Sequence, residues 1–252
     1  MSSETDQTKV TGNGAQGPGF FLDRDRLRAL ALGQRASYRG ARPYPHAVFE
    51  EFLGEAIAAP LARNFPGPDH PGWMRRDYRE QAGRLGQLQR TGFAGVDAGI
   101  RHLLAELSGM AFLDFLSDLT GVEGLIADPH FRGAGLSLTL AGGHLALHAD
   151  FNRDRARHLE RRVTVLYYLC QDWHPSWGGA LELWDERRTQ CEASYLPVLD
   201  RLLVMDHGDT NWHGHPAPLS CPEGRFRASV SAYYYVAAAS PGEDGAHGAI
   251  WA

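Results

Sequence analysis

The stretch AGLSLTLAGGHLALHADF, residues 134–151, decides the fold. Its runs at 134–140 and 144–151 alternate apolar and polar side chains, as half-buried β-strands do, and Ala-Gly-Gly separates them. Similar short runs follow at 163–170, 180–184, 196–206 and 226–236, divided by Gly, Pro or Asp. Strand-like runs without helical patterns between them predict an antiparallel sandwich or jelly roll rather than βαβ units.

The part of the chain before this stretch has helical patterns. Apolar residues recur at helical spacing from Ile100 to Leu119, and Gly109 is expected to divide this segment into two helices. A second apolar stripe, from Phe49 to Phe65, predicts another helix, with a kink or an end at Pro60. The sequence therefore predicts an α+β fold with a mainly β core, a jelly roll on which helices from the N-terminal half pack.

The predicted domain boundaries follow composition. Residues 19–238 are expected to form a single domain, with helical support over 19–127 and the jelly-roll core over 128–238. Residues 1–18 are rich in Ser, Thr, Gly and Gln, and the C-terminal segment contains SPGEDGAHG. With few apolar side chains to bury, 1–18 are predicted to be a disordered tail and 239–252 a loose tail.

Composition excludes several classes of protein. The chain has 252 residues, 25 Lys+Arg and 30 Asp+Glu, for a net charge of −5, so it has no basic excess for nucleic acid or an anionic membrane surface. The longest apolar run, residues 232–239, is far shorter than the roughly 20 residues of a spanning helix. Without a secretory signal pattern, and with three cysteines in no CxxC spacing, the expectation is a cytoplasmic protein without disulfides.

Three residues form a candidate metal site. His148 and Asp150 are two apart in an extended run and should point to the same face. His213 comes 63 residues after Asp150 (213 − 150), where a sandwich could bring it back beside them. Two His and one carboxylate form the facial triad of non-haem Fe(II) oxygenases, but zinc hydrolases share this ligand set. His215 competes with His213 for the third position.

A buried arginine is the second feature. Arg227 and Ser229 lie two apart in the run 226–236, and an inward-facing arginine needs an anionic partner because an unpaired buried charge is costly. A dicarboxylate cosubstrate would supply that partner through bidentate hydrogen bonds. Arg225 competes with Arg227, and only the serine spacing favours Arg227. Two further expectations are a tight turn or a close backbone approach at Gly178-Gly179 and exclusion of water by Trp212.

From about residue 124 to 236 the chain resembles the Fe(II)/2-oxoglutarate-dependent dioxygenases, specifically the bacterial prolyl-4-hydroxylase-like branch. The resemblance lies in DPHFRGAG (128–135), HADFN (148–152), YYLCQDWHPSWGGALELW (167–184), NWHGHPAPLSCPEG (211–224) and RASVSAYYY (227–235). It implies a double-stranded β-helix, the jelly roll of this family, and a catalytic iron. The implied iron ligands are His148, Asp150 and His213, since the family pattern favours the first histidine of HGHP.

The resemblance also implies the cosubstrates and the reaction. Arg227, assisted by Ser229, would hold the distal carboxylate of 2-oxoglutarate. With Fe(II) and O2, the enzyme would hydroxylate an unactivated aliphatic C–H and release succinate and CO2. Asp150 occupies the position that related halogenases leave open for a halide, which favours hydroxylation.

The substrate is predicted only as a class: an amino acid, an amino-acid-derived natural-product intermediate or a short peptide. Arg75 and Arg76, with Arg153 and Arg155, are candidates to bind a substrate carboxylate, and a solvated charged surface explains them equally well. Trp212 is a further candidate substrate residue. A zinc-dependent hydrolase and a non-catalytic jelly-roll binding module remain as alternatives. The sequence does not indicate an oligomeric state.

Overall fold

The computed structural model describes residues 19–86, 92–238 and 245–252. Within these ranges, thirteen strands form one curled antiparallel sheet with four helices. The helices are α1 Arg24–Gly40, α2 Glu55–Arg63, α3 Ala98–Leu107 and α4 Met110–Thr120. The strands are β1 His46–Phe49, β2 Met74–Tyr78, β3 Gln81–Gly86, β4 Ile126–Ala127, β5 Gly135–Ala149, β6 Arg153–Asp154, β7 Leu159–Tyr168, β8 Leu181–Trp184, β9 Cys191–Tyr195, β10 Leu202–Asp206, β11 His213–His215, β12 Arg227–Ala237 and β13 Ile250–Trp251.

The predicted double-stranded β-helix with helices packed on it is confirmed. The main strand order is β1-β10-β7-β12-β5-β11-β8-β9. The two runs expected at 134–140 and 144–151 are one long strand, β5, whose first half pairs with β12 and whose second half pairs with β11 and β13. β5 therefore connects the two parts of the sheet. Its second half carries His148 of the HxD motif, and Asp150 directly follows the strand.

The two-helix prediction for residues 100–119 is also confirmed. Asp97 caps α3 by accepting hydrogen bonds from Gly99 and Ile100, and Gly109 precedes α4. The apolar stripe is buried: α3 contributes Ile100, Leu103, Leu104 and Leu107, and α4 contributes Phe112, Phe115, Leu116 and Leu119. These side chains belong to the same core cluster as the inner faces of β5, β7 and β12.

The helix predicted over the stripe from Phe49 to Phe65 is partly wrong, because Phe49 ends β1 and the helix begins only at Glu55. The buried carboxylate of Asp200 accepts hydrogen bonds from the backbone N–H groups of Leu53 and Gly54 at 2.8 and 2.7 Å, and Gly54 has φ +82°. This tertiary contact fixes a non-helical turn that the periodicity does not reveal. Pro60 does not end α2, which continues to Arg63.

Three other boundaries differ from the prediction. The run 196–206 is a strand only from Leu202. The segment 19–127 is not purely helical, since β1 pairs with β10 and β3 pairs with β5, so both halves of the predicted domain share one sheet. The loose tail is wrong at Ile250–Trp251, which pair with β5. Residues 1–18 and 239–244 lie outside the described residues. None of the helices in the described ranges is long and apolar enough to cross a membrane.

Candidate metal centre

Two paired strands bring the three candidate ligands together. His148 of β5 lies directly opposite His213 of β11, and Asp150 is the first residue after β5. One ligand atom from each of the three side chains lies within 4.8 Å of the others. This is close to the separation that one ion with bonds of about 2.0–2.2 Å bridges. All three residues are buried.

The hydrogen bonds of the two imidazoles suit metal binding. Nδ1 of His148 lies 3.0 Å from the carbonyl oxygen of Ala146, and Nδ1 of His213 lies 2.9 Å from that of Asn211. In the tautomer that makes these bonds, each Nδ1–H donates and each Nε2 keeps its lone pair. The Nε2 atoms face the Asp150 carboxylate, at 3.6 and 3.5 Å. This is the arrangement by which neighbouring backbone groups orient histidine ligands, so the donor set fits a divalent ion.

The protonation states also suit a cation. Burial, followed by the neighbouring His213, lowers the pKa of His148, which favours the neutral imidazole that a metal requires. Burial alone would raise the pKa of Asp150, but Arg161 and the two histidines hold it well below its usual range. The carboxylate is therefore ionised in a buried position.

Sequence reasoning missed Arg161 as part of the site. Its guanidinium donates a 2.6 Å hydrogen bond to Oδ2 of Asp150 and a 2.9 Å bond to Thr164. The side chain is fully buried, and its guanidinium carbon lies 3.3 Å from the ring centroid of Tyr233 and 4.8 Å from that of Phe151. In the sequence, Arg161 belongs to an arginine-rich segment that resembles a solvated loop.

A cavity of about 210 Å³ opens beside the three ligands. Its polar lining includes Arg76, Gln81, Arg84, Ser137, His215 and Arg227. Pockets for drug-sized ligands are larger, roughly 300–1,000 Å³, so this cavity suits a small ligand.

Arg227 is held at this cavity by two hydrogen bonds. Its Nε donates to the carbonyl oxygen of Gly179 at 2.8 Å, and Nη2 donates to the Tyr168 hydroxyl at 2.9 Å. The close approach predicted at Gly178-Gly179 is confirmed: a Cβ on Gly179 would lie 2.5 Å from Leu219 and 3.3 Å from the Arg227 side chain. Arg225, the competing residue, is exposed over the ring of Trp177.

Ser229 is buried and contacts a residue that lines the cavity, Ser137. Its Oγ lies 2.9 Å from the Oγ of Ser137, its partner across the β5–β12 ladder. Ser137 lines the cavity. Ser229 is thus placed to orient Ser137.

The structure does not place Trp212 at the cavity. Its indole Nε1 donates to the Glu186 carbonyl oxygen at 3.1 Å, and Arg188 lies over its ring at 4.6 Å. Because neighbouring residues of an extended chain point to opposite faces, a residue adjacent to His213 turns away from the site. Trp251 of β13 takes the expected position instead, with its ring 5.1 Å from that of His148. No local pattern marks Trp251, which reaches the site through strand pairing.

The four candidate substrate arginines divide by position. Arg76 lines the cavity, whereas Arg75 points to the other side of β2 and pairs with Asp77. Arg153 and Arg155 line a second, shallower cleft, and Arg155 donates to the carbonyl oxygen of Ala246 at 2.8 Å. The structure therefore brings only Arg76 of these four to the metal-site cavity.

Comparisons with known proteins point to one family. Residues 134–235 match the sequence model of the 2OG-Fe(II) oxygenase superfamily. Among solved structures, the fold is similar to a Trichoplax adhaerens prolyl hydroxylase in complex with a hypoxia inducible factor peptide fragment (TM-score 0.55, 19% identity, 84% of this chain and 90% of that chain). It is also similar to a Pseudomonas putida prolyl-4-hydroxylase (TM-score 0.53, 20% identity, 83% of this chain and 98% of that chain). A comparison with curated proteins gives no match.

Proposed function

We propose that the protein hydroxylates an aliphatic C–H of an amino acid, an amino-acid-derived intermediate or a short peptide, because residues 134–235 match the sequence model of the 2OG-Fe(II) oxygenase superfamily. The enzyme is a 2-oxoglutarate-dependent oxygenase with Fe(II) as its metal. Fe(II), 2-oxoglutarate and O2 supply the oxidising chemistry, with release of succinate and CO2.

One observation carries the proposal: a facial set of three ligands and a buried arginine share one small cavity. His148, Asp150 and His213 are proposed to hold the iron on one side and leave its other side open. Arg227, fixed by Gly179 and Tyr168, is proposed to bind the distal carboxylate of 2-oxoglutarate. A charged pair with two parallel hydrogen bonds fixes both the position and the orientation of a carboxylate.

This pairing weighs against the alternative functions. A zinc hydrolase would use the same three ligands but would need no buried cation for a dicarboxylate. A non-catalytic binding module would need neither feature. Both features line one cavity, which favours the oxygenase reaction over both alternatives.

The environment of Asp150 supports hydroxylation rather than halogenation. Arg161 holds the carboxylate at the centre, where it fills the position that a halide would need. We therefore propose that the product of the wild-type protein is hydroxylated even in high chloride. A chlorinated product, recognised by its isotope pattern in mass spectrometry, would contradict this assignment.

The proposal is tested with metal-free protein under anaerobic conditions. Addition of Fe(II) and then 2-oxoglutarate should produce the weak visible charge-transfer band of the chelate, and admission of O2 should produce succinate without added substrate. His148→Ala, Asp150→Ala and His213→Ala should each lose the band because each removes one of three protein ligands. His215→Ala is the matched control and should keep iron binding.

Two results would overturn parts of this proposal. If no band and no succinate form in the wild-type protein, the oxygenase assignment fails. If His215→Ala loses iron while His213→Ala keeps it, the third ligand is wrongly assigned.

A further inference from the structure

The arginines that line the cavity carry more positive charge than binding of iron and 2-oxoglutarate would neutralise. Three arginines line it, Arg76, Arg84 and Arg227, against one carboxylate, Asp150. Asp150 is already paired with Arg161, which lies behind it. The two charges of Fe(II) balance those of the 2-oxoglutarate dianion. The loaded site would therefore keep an excess of positive charge, and buried charges without partners are costly.

Arg84 has a buried side-chain nitrogen, Nε, that lacks a hydrogen-bond partner among the described residues. Its Nη1 donates one long hydrogen bond, 3.3 Å, to Gln81. Burial, followed by the nearby guanidiniums of Arg227 and Arg76, lowers the pKa of Arg84 to about 10, so it remains charged at neutral pH.

Arg76 reinforces this charge. It lies directly opposite Arg84 in the β2–β3 hairpin. Like charges directly opposite in a sheet destabilise it. Within the ranges that the structure describes, neither arginine forms an ion pair with a carboxylate, whereas Arg75 on the outer side pairs with Asp77. If the hairpin had only a structural role, the facing pair of Arg76 and Arg84 would add nothing to its stability.

The backbone is shaped to bring Arg84 to this position. The register between β3 and β5 shifts at Gly83, which has φ +61°. A Cβ on Gly83 would lie 2.8 Å from the Cα of Gly143, and a Cβ on Gly143 would lie 2.7 Å from the carbonyl oxygen of Ala82. Bulges of this kind re-aim side chains next to active sites. The two glycines allow the hairpin to approach β5 closely and direct Arg84 into the cavity.

Arg84 and Arg227 face the cavity from opposite sides of β5. Both pair with Thr139, Arg84 on β3 and Arg227 on β12. Two strand spacings separate their backbones by roughly 10 Å. His215 also lines this cavity, and both of its ring nitrogens are buried without partners among the described residues.

We propose that Arg84 and Arg76 form a second anion site, which binds a carboxylate of the substrate, while Arg227 binds that of 2-oxoglutarate. This rests on the proposed function and narrows its substrate class to compounds with a free carboxylate. The free ring nitrogens of His215 supply a further hydrogen bond to a ligand in the cavity. The small cavity admits a free amino acid or the C-terminal residue of a short peptide.

The test measures binding and requires no turnover. Anaerobic protein loaded with Fe(II) and 2-oxoglutarate is titrated with common L-amino acids, each paired with its C-terminal amide, and the melting temperature is recorded. At least one acid should stabilise the wild-type protein, and its amide should not. Arg84→Met should weaken that binding about tenfold or more, because a charged hydrogen-bonded pair is lost. Arg84→Lys should keep part of the binding, and Arg75→Met is the matched control that should keep all of it.

A second measurement separates an anion site from a structural arginine. Arg84→Met should raise the melting temperature of the unliganded protein, since it removes a buried charge that lacks a carboxylate partner. It should leave the 2-oxoglutarate affinity unchanged, whereas Arg227→Met should reduce it.

The proposal is overturned if no acid stabilises the wild-type protein or if the amides bind as well as the acids. It is also overturned if Arg84→Met and Arg84→Lys both have lower melting temperatures than the wild-type protein and both bind the acid with unchanged affinity. Loss of 2-oxoglutarate affinity in Arg84→Met would overturn it too, by placing Arg84 in the cosubstrate site. Failure of the proposed function is distinguishable, because it removes the response to 2-oxoglutarate in the wild-type protein.

Discussion

Arg161 donates a 2.6 Å hydrogen bond to Oδ2 of Asp150, and the guanidinium that makes it is fully buried. The contact pairs the charge of the candidate metal ligand through Oδ2 and does not involve Oδ1, which lies 3.6 Å from Nε2 of His148. Rings of Phe151 and Tyr233 pack against the guanidinium. The ligand is therefore oriented before any metal binds.

Arg161→Met should lower the free energy of unfolding of the metal-free protein by about 3–5 kcal/mol, because it leaves the buried Asp150 carboxylate uncompensated. Urea denaturation measures the change. In an Asp150→Asn background the same substitution should cost much less, since the charge it compensates is gone. Arg28→Met, at an exposed position of α1, is the control. Equal losses in both backgrounds would show that Arg161 does not act through Asp150.

Arg227→Met should weaken 2-oxoglutarate binding by about 2–5 kcal/mol and leave Fe(II) affinity almost unchanged. The physical reason is the loss of a charge-assisted contact in a buried cavity. Arg225→Met is the matched control, because this side chain is exposed over Trp177. Anaerobic titration of the chelate band measures both ligands. An unchanged 2-oxoglutarate affinity in Arg227→Met would exclude Arg227 as the anchor.

Trp251→Ala should speed the release of bound metal, measured as the rate of transfer to an excess of chelator. The Trp251 ring packs 5.1 Å from that of His148, so its loss exposes the ligand to water. Ile250→Ala is the control in the same strand, since that side chain is exposed. Equal release rates in the two variants would mean that β13 does not shield the centre.

These residues show how far the sequence predicts the site. His148 and Asp150 were found because strand alternation is local, and the buried position of Arg227 follows from the apolar run around it. Arg161 was not found because an arginine-rich segment looks the same whether one of its members points inward or all are solvated. Arg84 and Trp251 depend on pairing with β5, a tertiary fact that no short pattern carries. Trp212 lies away from the cavity for the same reason that His148 and Asp150 lie together: adjacent residues of a strand point to opposite faces, and alternate residues share one.

Asp206→Asn should stabilise the protein more at pH 7.5 than at pH 5. Burial raises the pKa of Asp206 to about 6, and the nearby Arg162 only partly offsets this. A carboxyl with a raised pKa binds its proton more tightly in the folded state, so stability falls as pH rises from the unfolded value towards the folded value. The full penalty, about 1–3 kcal/mol for a shift of this size in a partly exposed group, is present above pH 6. Asparagine removes that penalty, and urea denaturation at the two pH values measures the increase in the free energy of unfolding. Asp69→Asn, at an exposed position, is the control. An equal gain at both values for Asp206→Asn would show that the carboxyl of Asp206 is not held protonated by the fold.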